Sequence, residues 1–323
     1  MADDTTQIAI GAVYAFFFGA AAGAFGYGWA VRLTPHHTPS GRSDSGNRLG
    51  IVAVLSGLLM AGLVVAELHF DCQATPNVLP AAFWRVGRVF YHGIMIGLLI
   101  TATITDLREY VIPDEIVLPG MLIGVFGAAV SGDLQMMHVW IDWNQEIPRV
   151  RGAYIPEWIR QHHHLHGLIW SLAGAAVGAG LTWIVRWTSA LILRRQALGL
   201  GDVTLMAMIG SFIGWQAVVC VFVLAPLCGI VLAVLTWIFT GRGFVPYGPY
   251  LAAATLIVLF SWRWLWDSLK WAFGDWQTLA IVTGISVTAL VALLGVLRFY
   301  WSIPVKSTRR IEQTAEQSEP HGP

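Results

Sequence analysis

The stretch Ala217–Phe239 reads AVVCVFVLAPLCGIVLAVLTWIF and contains no charged side chain. A helix needs about 20 apolar residues to cross the roughly 30 Å hydrocarbon core of a bilayer. Because lipid offers no hydrogen-bond partners to the backbone, a helix that satisfies its own polar groups is the expected structure. The stretch therefore predicts a membrane-spanning helix, and similar apolar runs lie on both sides of it.

The composition of the chain is that of an integral membrane protein. Of its 323 residues, 56% are hydrophobic and 12% are charged, and 16 are Trp. A surface with so few charges must largely face lipid. The expected fold class is an all-α polytopic membrane protein with about eight or nine transmembrane helices. The lipid bilayer is an expected partner, and a nucleic acid is not.

Nine apolar segments along the chain are candidates for crossing the bilayer. The segments beginning at Ile116 and Val203 are short for a full crossing, so eight crossings with one half-buried segment is the alternative. The nine segments are Ile8–Val31, Leu49–Leu68, Val89–Thr105, Ile116–Val130, Gly167–Trp187, Val203–Trp215, Ala217–Phe239, Leu251–Trp266 and Leu279–Trp301.

The distribution of Lys and Arg between the loops predicts the orientation, because cytoplasmic loops retain positive charge. With the N-terminus outside, twelve of these residues are cytoplasmic and seven lie on the opposite side. The acidic start Met-Ala-Asp-Asp also argues against a cleaved signal peptide. We therefore expect a multi-pass membrane protein whose N-terminus is outside.

The apolar segments suggest a division of the chain into four parts. Residues 1–88 hold N-terminal transmembrane helices joined by a short cytoplasmic loop, and residues 89–266 form the central membrane domain with an external segment at 131–166. Residues 267–306 add a C-terminal transmembrane helix, and residues 307–323 form a polar tail that is expected to be disordered.

The cysteine content excludes a zinc-ribbon domain. The chain has three cysteines, Cys72, Cys220 and Cys228, and no Cys-x-x-Cys pair, whereas such a site requires closely spaced thiolates. Cys220 and Cys228 lie in an apolar helix and are expected to be small core residues. For Cys72 a free thiol and a packed one both remain open. No metal and no cofactor are expected.

The first candidate site residue, Asp106, follows an apolar run and precedes the charged residues Arg108 and Glu109. An acidic residue at the edge of the hydrocarbon is costly and therefore indicates function. Pro113 biases the residue before it away from helix, so the helix is expected to end shortly after Asp106. Asp114 precedes the next apolar run, where a structural helix cap is favoured over a chemical role.

The second candidate, Asp202, follows two glycines in LGLGD, Gly199 and Gly201. Glycines permit backbone angles that are closed to other residues and allow another chain to approach closely. A peptide substrate must be extended before a protease can attack it, since a helix shields its own carbonyl groups. We therefore expect these glycines to make room for a substrate beside Asp202.

Two carboxylates within a few ångströms cannot both ionise easily, so such a pair shares a proton. The ionised member then takes a proton from water while the protonated member polarises a carbonyl group, which is the chemistry of an aspartic protease. The simpler alternative is that Asp106 and Asp202 each cap a helix or pair with a nearby arginine.

Four ordered blocks, matching in order and spacing from about Ile100 to Leu256, resemble the type IV prepilin peptidase family of GxGD aspartic proteases. The blocks are DLREYVIPD with LPG, HGLIWSLAGA, LGLGDVTLMAMIG with GWQ, and VPYGPYL. The resemblance implies that the protein cleaves the basic leader of type IV prepilins or pseudopilins at the cytoplasmic face. It places the catalytic carboxylates at Asp106 and Asp202.

The same resemblance gives supporting roles to further residues of these blocks. Gly199 and Gly201 are the glycines of the GxGD block. Arg108, Pro113 and Asp114 are expected to support the site, and the turn Pro246–Pro249 is expected to be part of its architecture.

The chain departs from the family pattern in three places. Many members have a domain with paired cysteines between the first two helices, but here the interval Thr34–Arg48 contains no cysteine, so N-methyltransferase activity is not expected. The usual Lys after Gly-Asp-Val is Thr204. The segment Ser131–His166 resembles an insertion, and its cluster of His162, His163, His164 and His166 is read as a solvated loop rather than a metal site.

Two other classes of function remain open. An ion-coupled transporter can also use membrane carboxylates as a proton relay, but its carboxylates usually lie near the midplane, whereas Asp106 and Asp202 fall at one edge. An inactive scaffold for pilus or secretion assembly is the third possibility. The oligomeric state is not encoded in any motif of the sequence.

Overall fold

The computed structural model describes residues 2–35, 42–76, 78, 80–140, 155–194, 198–241 and 246–302. Apart from an isolated bridge between Thr75 and Val78, the regular structure in these ranges is helical, and the predicted all-α fold class is confirmed. In chain order the helices are α1 (Ala2–Leu33), α2 (Arg42–Leu68), α3 (Ala82–Glu109), α4 (Asp114–Ser131), α5 (Glu157–Gln161), α6 (His163–Leu193), α7 (Leu200–Thr240), α8 (Gly248–Gly274) and α9 (Trp276–Ser302).

Six of the described helices are long and apolar enough to cross a membrane, namely α1, α2, α3, α4, α6 and α7. The prediction of a polytopic membrane protein is therefore confirmed. The predicted number of eight or nine crossings is larger than six for two reasons. The segments predicted at Val203–Trp215 and Ala217–Phe239 both belong to α7, and α8 and α9 are not among the six.

Helix α7 is interrupted at Gly214, whose backbone angles are φ 79° and ψ 172°. Residues with a side chain essentially never adopt these angles, so glycine is required at this position. The interruption divides α7 into a first arm, residues 200–213, and a second arm, residues 215–240. These arms correspond to the two segments that the sequence predicted separately.

The two arms of α7 fold back on each other, because both reach the same residue of α6. A Cβ atom placed on Gly178 would overlap the carbonyl oxygen of Met206 in the first arm and lie 3.2 Å from Val218 Cγ2 in the second arm. In a straight helix, Met206 and Val218 would be about 18 Å apart along the axis. The first arm therefore runs from Asp202 to the turn at Gly214.

Small residues let α6 and the first arm of α7 approach closely. A Cβ atom on Gly174 or on Gly210 would overlap the carbonyl oxygen of the other glycine. Close backbone approach of this kind is common where membrane helices pack, since lipid gives no hydrophobic reason for two helices to associate. This contact fixes the position of the arm that carries Asp202.

At the end of the bundle remote from Asp106, a fully buried arginine joins three segments. Arg88 of α3 lies 3.5 Å from Glu67 of α2, and its guanidinium donates to the carbonyl oxygens of Gln73 and Gln135. We call Glu67, Gln73, Arg88 and Gln135 the Arg88 network. It holds the segments that follow α2 and α4 against the helices, and the two carbonyl oxygens supply part of the hydrogen bonding that a buried ion pair needs.

All three cysteines are buried, unpaired thiols. The prediction that Cys220 and Cys228 are core residues is confirmed. Cys72, which the sequence left open, is packed: its thiol lies 3.8 Å from Glu67 Oε2 and from the carbonyl oxygen of Leu259.

The expectation that the histidine cluster is a solvated loop is wrong for its later members. His163, His164 and His166 form the first turn of α6, and His166 is fully buried. Its Nε2 accepts a hydrogen bond from the backbone N–H of Val139. The helix that contains the apolar run beginning at Gly167 therefore starts at His163. The segment that follows α4 covers His166 and keeps it from solvent.

Several predicted regions lie wholly or partly outside the described residues. These are the tail at 307–323, residues 36–41 of the predicted cytoplasmic loop, and residues 141–154 of the predicted insertion. The predicted boundary at residue 266 falls inside α8, which continues to Gly274.

Candidate active site

Asp106 lies in the last turn of α3 and is only 5% exposed. The helix ends at Glu109, where Tyr110 adopts the left-handed conformation with φ 57°. Asp106 Oδ2 accepts a hydrogen bond of 2.9 Å from the backbone N–H of Gly248, the first residue of α8. A carboxylate is unfavourable near the C-terminus of its own helix but favourable at the N-terminus of another, so α8 stabilises the carboxylate there.

Asp202 lies in the first turn of α7 and is 9% exposed. Its Oδ2 accepts a hydrogen bond of 2.9 Å from the backbone N–H of Gly199, the residue that precedes the helix. An acidic side chain that reaches back from the first turn in this way is one half of a capping box. Each aspartate is thus held by one backbone N–H at the start of a helix.

The structure brings the two aspartates to the same end of the bundle. Ile112, in the turn between α3 and α4, connects the two positions. A Cβ atom on Gly201 would lie 3.0 Å from Ile112 Cβ, and a Cβ atom on Gly248 would lie 3.3 Å from Ile112 Cδ1. Ile112 therefore packs between the helix start that carries Asp202 and the helix start that holds Asp106.

The two glycines of the GxGD segment do not adopt the glycine-specific backbone angles that the sequence suggested. Gly199 has φ −74° and ψ 163°, an extended conformation open to any residue, and Gly201 lies within α7. Neither belongs to the glycines with positive φ. The close approach expected at Gly201 does occur, but the approaching group is Ile112 of the same chain.

The remaining predicted residues shape the ends of helices around the pair. Arg108 donates from Nε to Thr34 Oγ1 at 2.8 Å and so joins α3 to the end of α1. Pro113 is the N-cap of α4, and Ile112 before it is not helical, as predicted. Asp114 is the first residue of α4 and not its N-cap, so it acts on the helix dipole and makes no capping hydrogen bond.

Four residues of the site were not predicted as site residues from the sequence: Ile112, Arg186, Tyr247 and Gly248. Arg186 donates to the carbonyl oxygen of Leu198, and its positive charge acts on Asp202. Burial raises the pKa of the Tyr247 phenol to about 12, and the negative charge of Asp202 adds to the increase.

Three of these four residues had a sequence signal: Ile112 lies in the DLREYVIPD block before Pro113, and Tyr247 and Gly248 lie within the turn Pro246–Pro249. Arg186 had none, since nothing in an apolar helix indicates which distant loop its guanidinium will reach. Among the described residues, no group of three or more His, Cys, Asp or Glu side chains is arranged to hold a metal ion. At this end of the bundle the structure buries two carboxyl groups, those of Asp106 and Asp202.

Residues 154–234 match the model of the type IV leader peptidase family. The matched range contains Asp202 and both glycines beside it, whereas Asp106 lies before its start.

Curated proteins with related sequences carry names that agree with this family. The chain is 25% identical over 169 residues to "Prepilin leader peptidase/N-methyltransferase" of Escherichia coli (strain K12), which covers 52% of this chain and 61% of that protein. It is 27% identical over 187 residues to the protein of the same name from Xanthomonas campestris pv. campestris, and the alignment covers 56% of this chain and 54% of that protein.

A third relative aligns over a shorter range. This is the "Type 4 prepilin-like proteins leader peptide-processing enzyme" of Escherichia coli O78:H11, 33% identical over 90 residues, which are 28% of this chain and 33% of that protein. No solved structure matches the chain. The chain thus spans about half the length of the curated relatives first named above. These matches agree with the resemblance seen in the sequence motifs: residues 154–234 are similar to the type IV leader peptidase family, and the chain is similar to curated prepilin leader peptidases over about half of its length.

Proposed function

We propose that this protein is a membrane aspartic endopeptidase that removes the basic leader from type IV prepilins or pseudopilins. The observation that carries the proposal is the meeting of Asp106 and Asp202 at one end of the bundle, contributed by α3 and α7 and linked through Ile112 and Gly248. The substrate class rests on the printed names of the relatives.

The proposed reaction uses the two carboxyl groups in different protonation states. The ionised aspartate accepts a proton from a water molecule, whose oxygen attacks the carbonyl carbon of the scissile peptide bond. The protonated aspartate donates to the carbonyl oxygen, giving a tetrahedral diol. Collapse of the diol breaks the C–N bond, and the proton taken from water passes from the first aspartate to the departing amine. The hydroxyl group formed from the carbonyl oxygen returns its proton to the second aspartate as the new carboxylic acid forms. Water adds across the peptide bond, and both aspartates return to their starting states.

The surroundings of the pair suit a substrate with an apolar helix after the cut. Leu107, Val111 and Leu200 neighbour the aspartates in sequence, and their side chains are more than half exposed. The docked helix positions the scissile bond, which is proposed to follow a small residue such as glycine. The site is proposed to face the cytoplasm of the inner membrane, where the basic leader remains.

We propose the peptidase step alone for this chain. The N-methyltransferase activity in the relatives' names belongs to proteins of which the chain spans about half. The absence of cysteines from the interval Thr34–Arg48 agrees with omitting that step.

A cleavage assay with purified protein in lipid nanodiscs tests the proposal. The substrate is a prepilin with its complete basic leader, and mass spectrometry identifies the bond that is cut. We expect a single cut at the end of the leader. A prepilin whose leader arginines and lysines are replaced by alanine is expected to be cut more slowly. If no prepilin or pseudopilin is cut by folded protein, the peptidase proposal is wrong and the transporter or scaffold becomes the better account.

Membrane vesicles test the proposed side of the membrane. Inverted inner-membrane vesicles that contain the protein should cut a prepilin added outside them. Right-side-out vesicles should cut it only after permeabilisation. Cutting by intact right-side-out vesicles would place the site on the external face.

A further inference from the structure

The start of α8 contacts Asp106 in a way that the family motifs do not assign to it. The Gly248 N–H is one of the helix-start donors that have no partner within their own helix, and it donates to Asp106 Oδ2 in a buried setting. The next residue is Pro249, which has no N–H. The N–H groups of Tyr250 and Leu251 already donate to the carbonyl oxygen of Tyr247. Gly248 is therefore the donor that α8 offers to the site.

Gly248 also has no room for a side chain. A Cβ atom built on it would lie 2.5 Å from Asp106 Oδ2 and 3.3 Å from Ile112 Cδ1. Ordinary contacts of a Cβ atom begin near 3.4 Å, so an added methyl group would displace the Asp106 carboxylate by about 1 Å. The geometry of that carboxylate thus depends on the missing side chain as well as on the hydrogen bond.

Ile112 connects this arrangement with the second aspartate. It is 7% exposed, and its Cβ lies against Gly201 while its Cδ1 lies against Gly248. Pro113 keeps it out of helical conformation, so its backbone cannot follow α3 or α4. One side chain therefore spans the gap between the start of α7 and the start of α8.

We propose that Gly248 and Ile112 are positioning residues for the aspartate pair. Gly248 fixes the Asp106 carboxylate by its N–H and by the absence of a side chain, and Ile112 sets the separation between Asp106 and Asp202. The consequence for turnover rests on the proposed peptidase function, whereas the consequence for geometry does not.

Amide hydrogen exchange tests the geometry without any activity. Because the Gly248 N–H has Asp106 Oδ2 as its partner, Asp106→Ala should raise its exchange rate at least tenfold. Asp106→Asn keeps a carbonyl oxygen at that place and should preserve most of the protection. Asp202→Ala is the control and should leave the Gly248 amide unchanged. Equal protection in the wild type and Asp106→Ala would overturn the positioning role of Gly248.

Kinetics with a prepilin substrate test the consequence for turnover. A displacement of about 1 Å at a reacting group can cost about 100-fold in rate, so Gly248→Ala should lower kcat at least tenfold while KM stays within about twofold. For Ile112→Ala, the fold-decrease in kcat should likewise be larger than the fold-change in KM. The matched control is Gly97→Ala in α3, where an added Cβ would meet no atom within 4 Å, and its kcat should equal that of the wild type.

Thermal stability of each variant separates positioning from loss of fold. A fall in kcat at unchanged stability supports the proposal. A wild-type kcat in Gly248→Ala, or a fall matched by the loss of folded protein, overturns it. If the wild type cuts no prepilin, the proposed peptidase function fails, while the exchange measurement still decides whether Gly248 holds Asp106.

Discussion

The turn at Gly214 makes the strongest quantitative prediction about stability. Gly214→Ala places a side chain on a residue with φ 79° and ψ 172°, a region whose cost for an ordinary residue is about 1 to 3 kcal/mol. The added Cβ would also enter the indole ring of Trp170, one of whose carbons, Cζ2, lies 2.8 Å from it. Overpacking of this kind costs about 1 to 3 kcal/mol more. The expected loss is therefore about 2 to 6 kcal/mol of unfolding free energy.

Two control variants separate the backbone strain from the collision. Gly241 also has positive φ, at 68°, but an added Cβ would meet nothing within 4 Å, so Gly241→Ala should cost only the left-handed penalty of about 1 to 2 kcal/mol. Gly180 lies within α6 with the same open space, and Gly180→Ala should be neutral or slightly stabilising, because alanine favours helix.

The assay is equilibrium unfolding in mixed micelles with increasing SDS fraction, followed by far-ultraviolet circular dichroism. The predicted order of stability is Gly180→Ala highest, then Gly241→Ala, then Gly214→Ala. If Gly214→Ala unfolds within about 1 kcal/mol of the wild type, which is below the backbone cost alone, then α7 does not turn at Gly214 as described. The position assigned to Asp202 by the first arm would then need revision.

Three further predictions concern other parts of the molecule. Arg88→Met should lower the unfolding free energy by about 3 to 5 kcal/mol, because it leaves Glu67 buried without its charged partner. In the same SDS unfolding assay, the double variant with Glu67→Gln should recover part of that free energy. Burial raises the pKa of the Cys72 thiol to about 12, so it stays protonated at pH 8 and iodoacetamide should label it in SDS but hardly at all in the native protein. Hydrogen bonds from Thr278 lower the pKa of Asp275. The ionised Asp275 therefore stabilises the fold above the ordinary carboxyl pKa of about 3.9, and this stabilisation is lost as the pH falls through the lower pKa of the folded state. The unfolding temperature of Asp275→Ala should depend less on acid pH than that of the wild type, and identical pH profiles would contradict the role of these hydrogen bonds.

The parts of the fold that follow from local pattern were predictable. Apolar runs of about 20 residues marked the spanning helices. The predicted break between Val203–Trp215 and Ala217–Phe239 lies near the interruption at Gly214, although both segments belong to one helix, α7. Pro113 predicted the end of regular helix after Asp106, since its effect acts on the residue directly before it.

The parts that depend on distant residues were not predictable. Nothing near Asp106 indicates that its partner is the N–H of Gly248, and nothing near Gly201 indicates that Ile112 fills the space beside it. His166 was expected in a solvated loop because its segment was placed outside the membrane, away from both aspartates, but the buried site it occupies depends on Val139 from another segment. A single sequence states which residues are apolar or charged, whereas these pairings arise only when the helices pack.

The central claim is that Asp106 and Asp202 act as a catalytic pair, and the most direct measurement is the single-turnover cleavage rate of a prepilin by Asp106→Asn and Asp202→Asn. Both variants keep the size of the side chain but remove its acid–base chemistry, so each rate should fall by at least about 10²- to 10⁴-fold at equal folded yield. Asp267→Asn, which changes an exposed carboxylate paired with Lys270, should cut at the wild-type rate. Cleavage near the wild-type rate by either Asp106→Asn or Asp202→Asn would contradict the account and remove that aspartate from the mechanism.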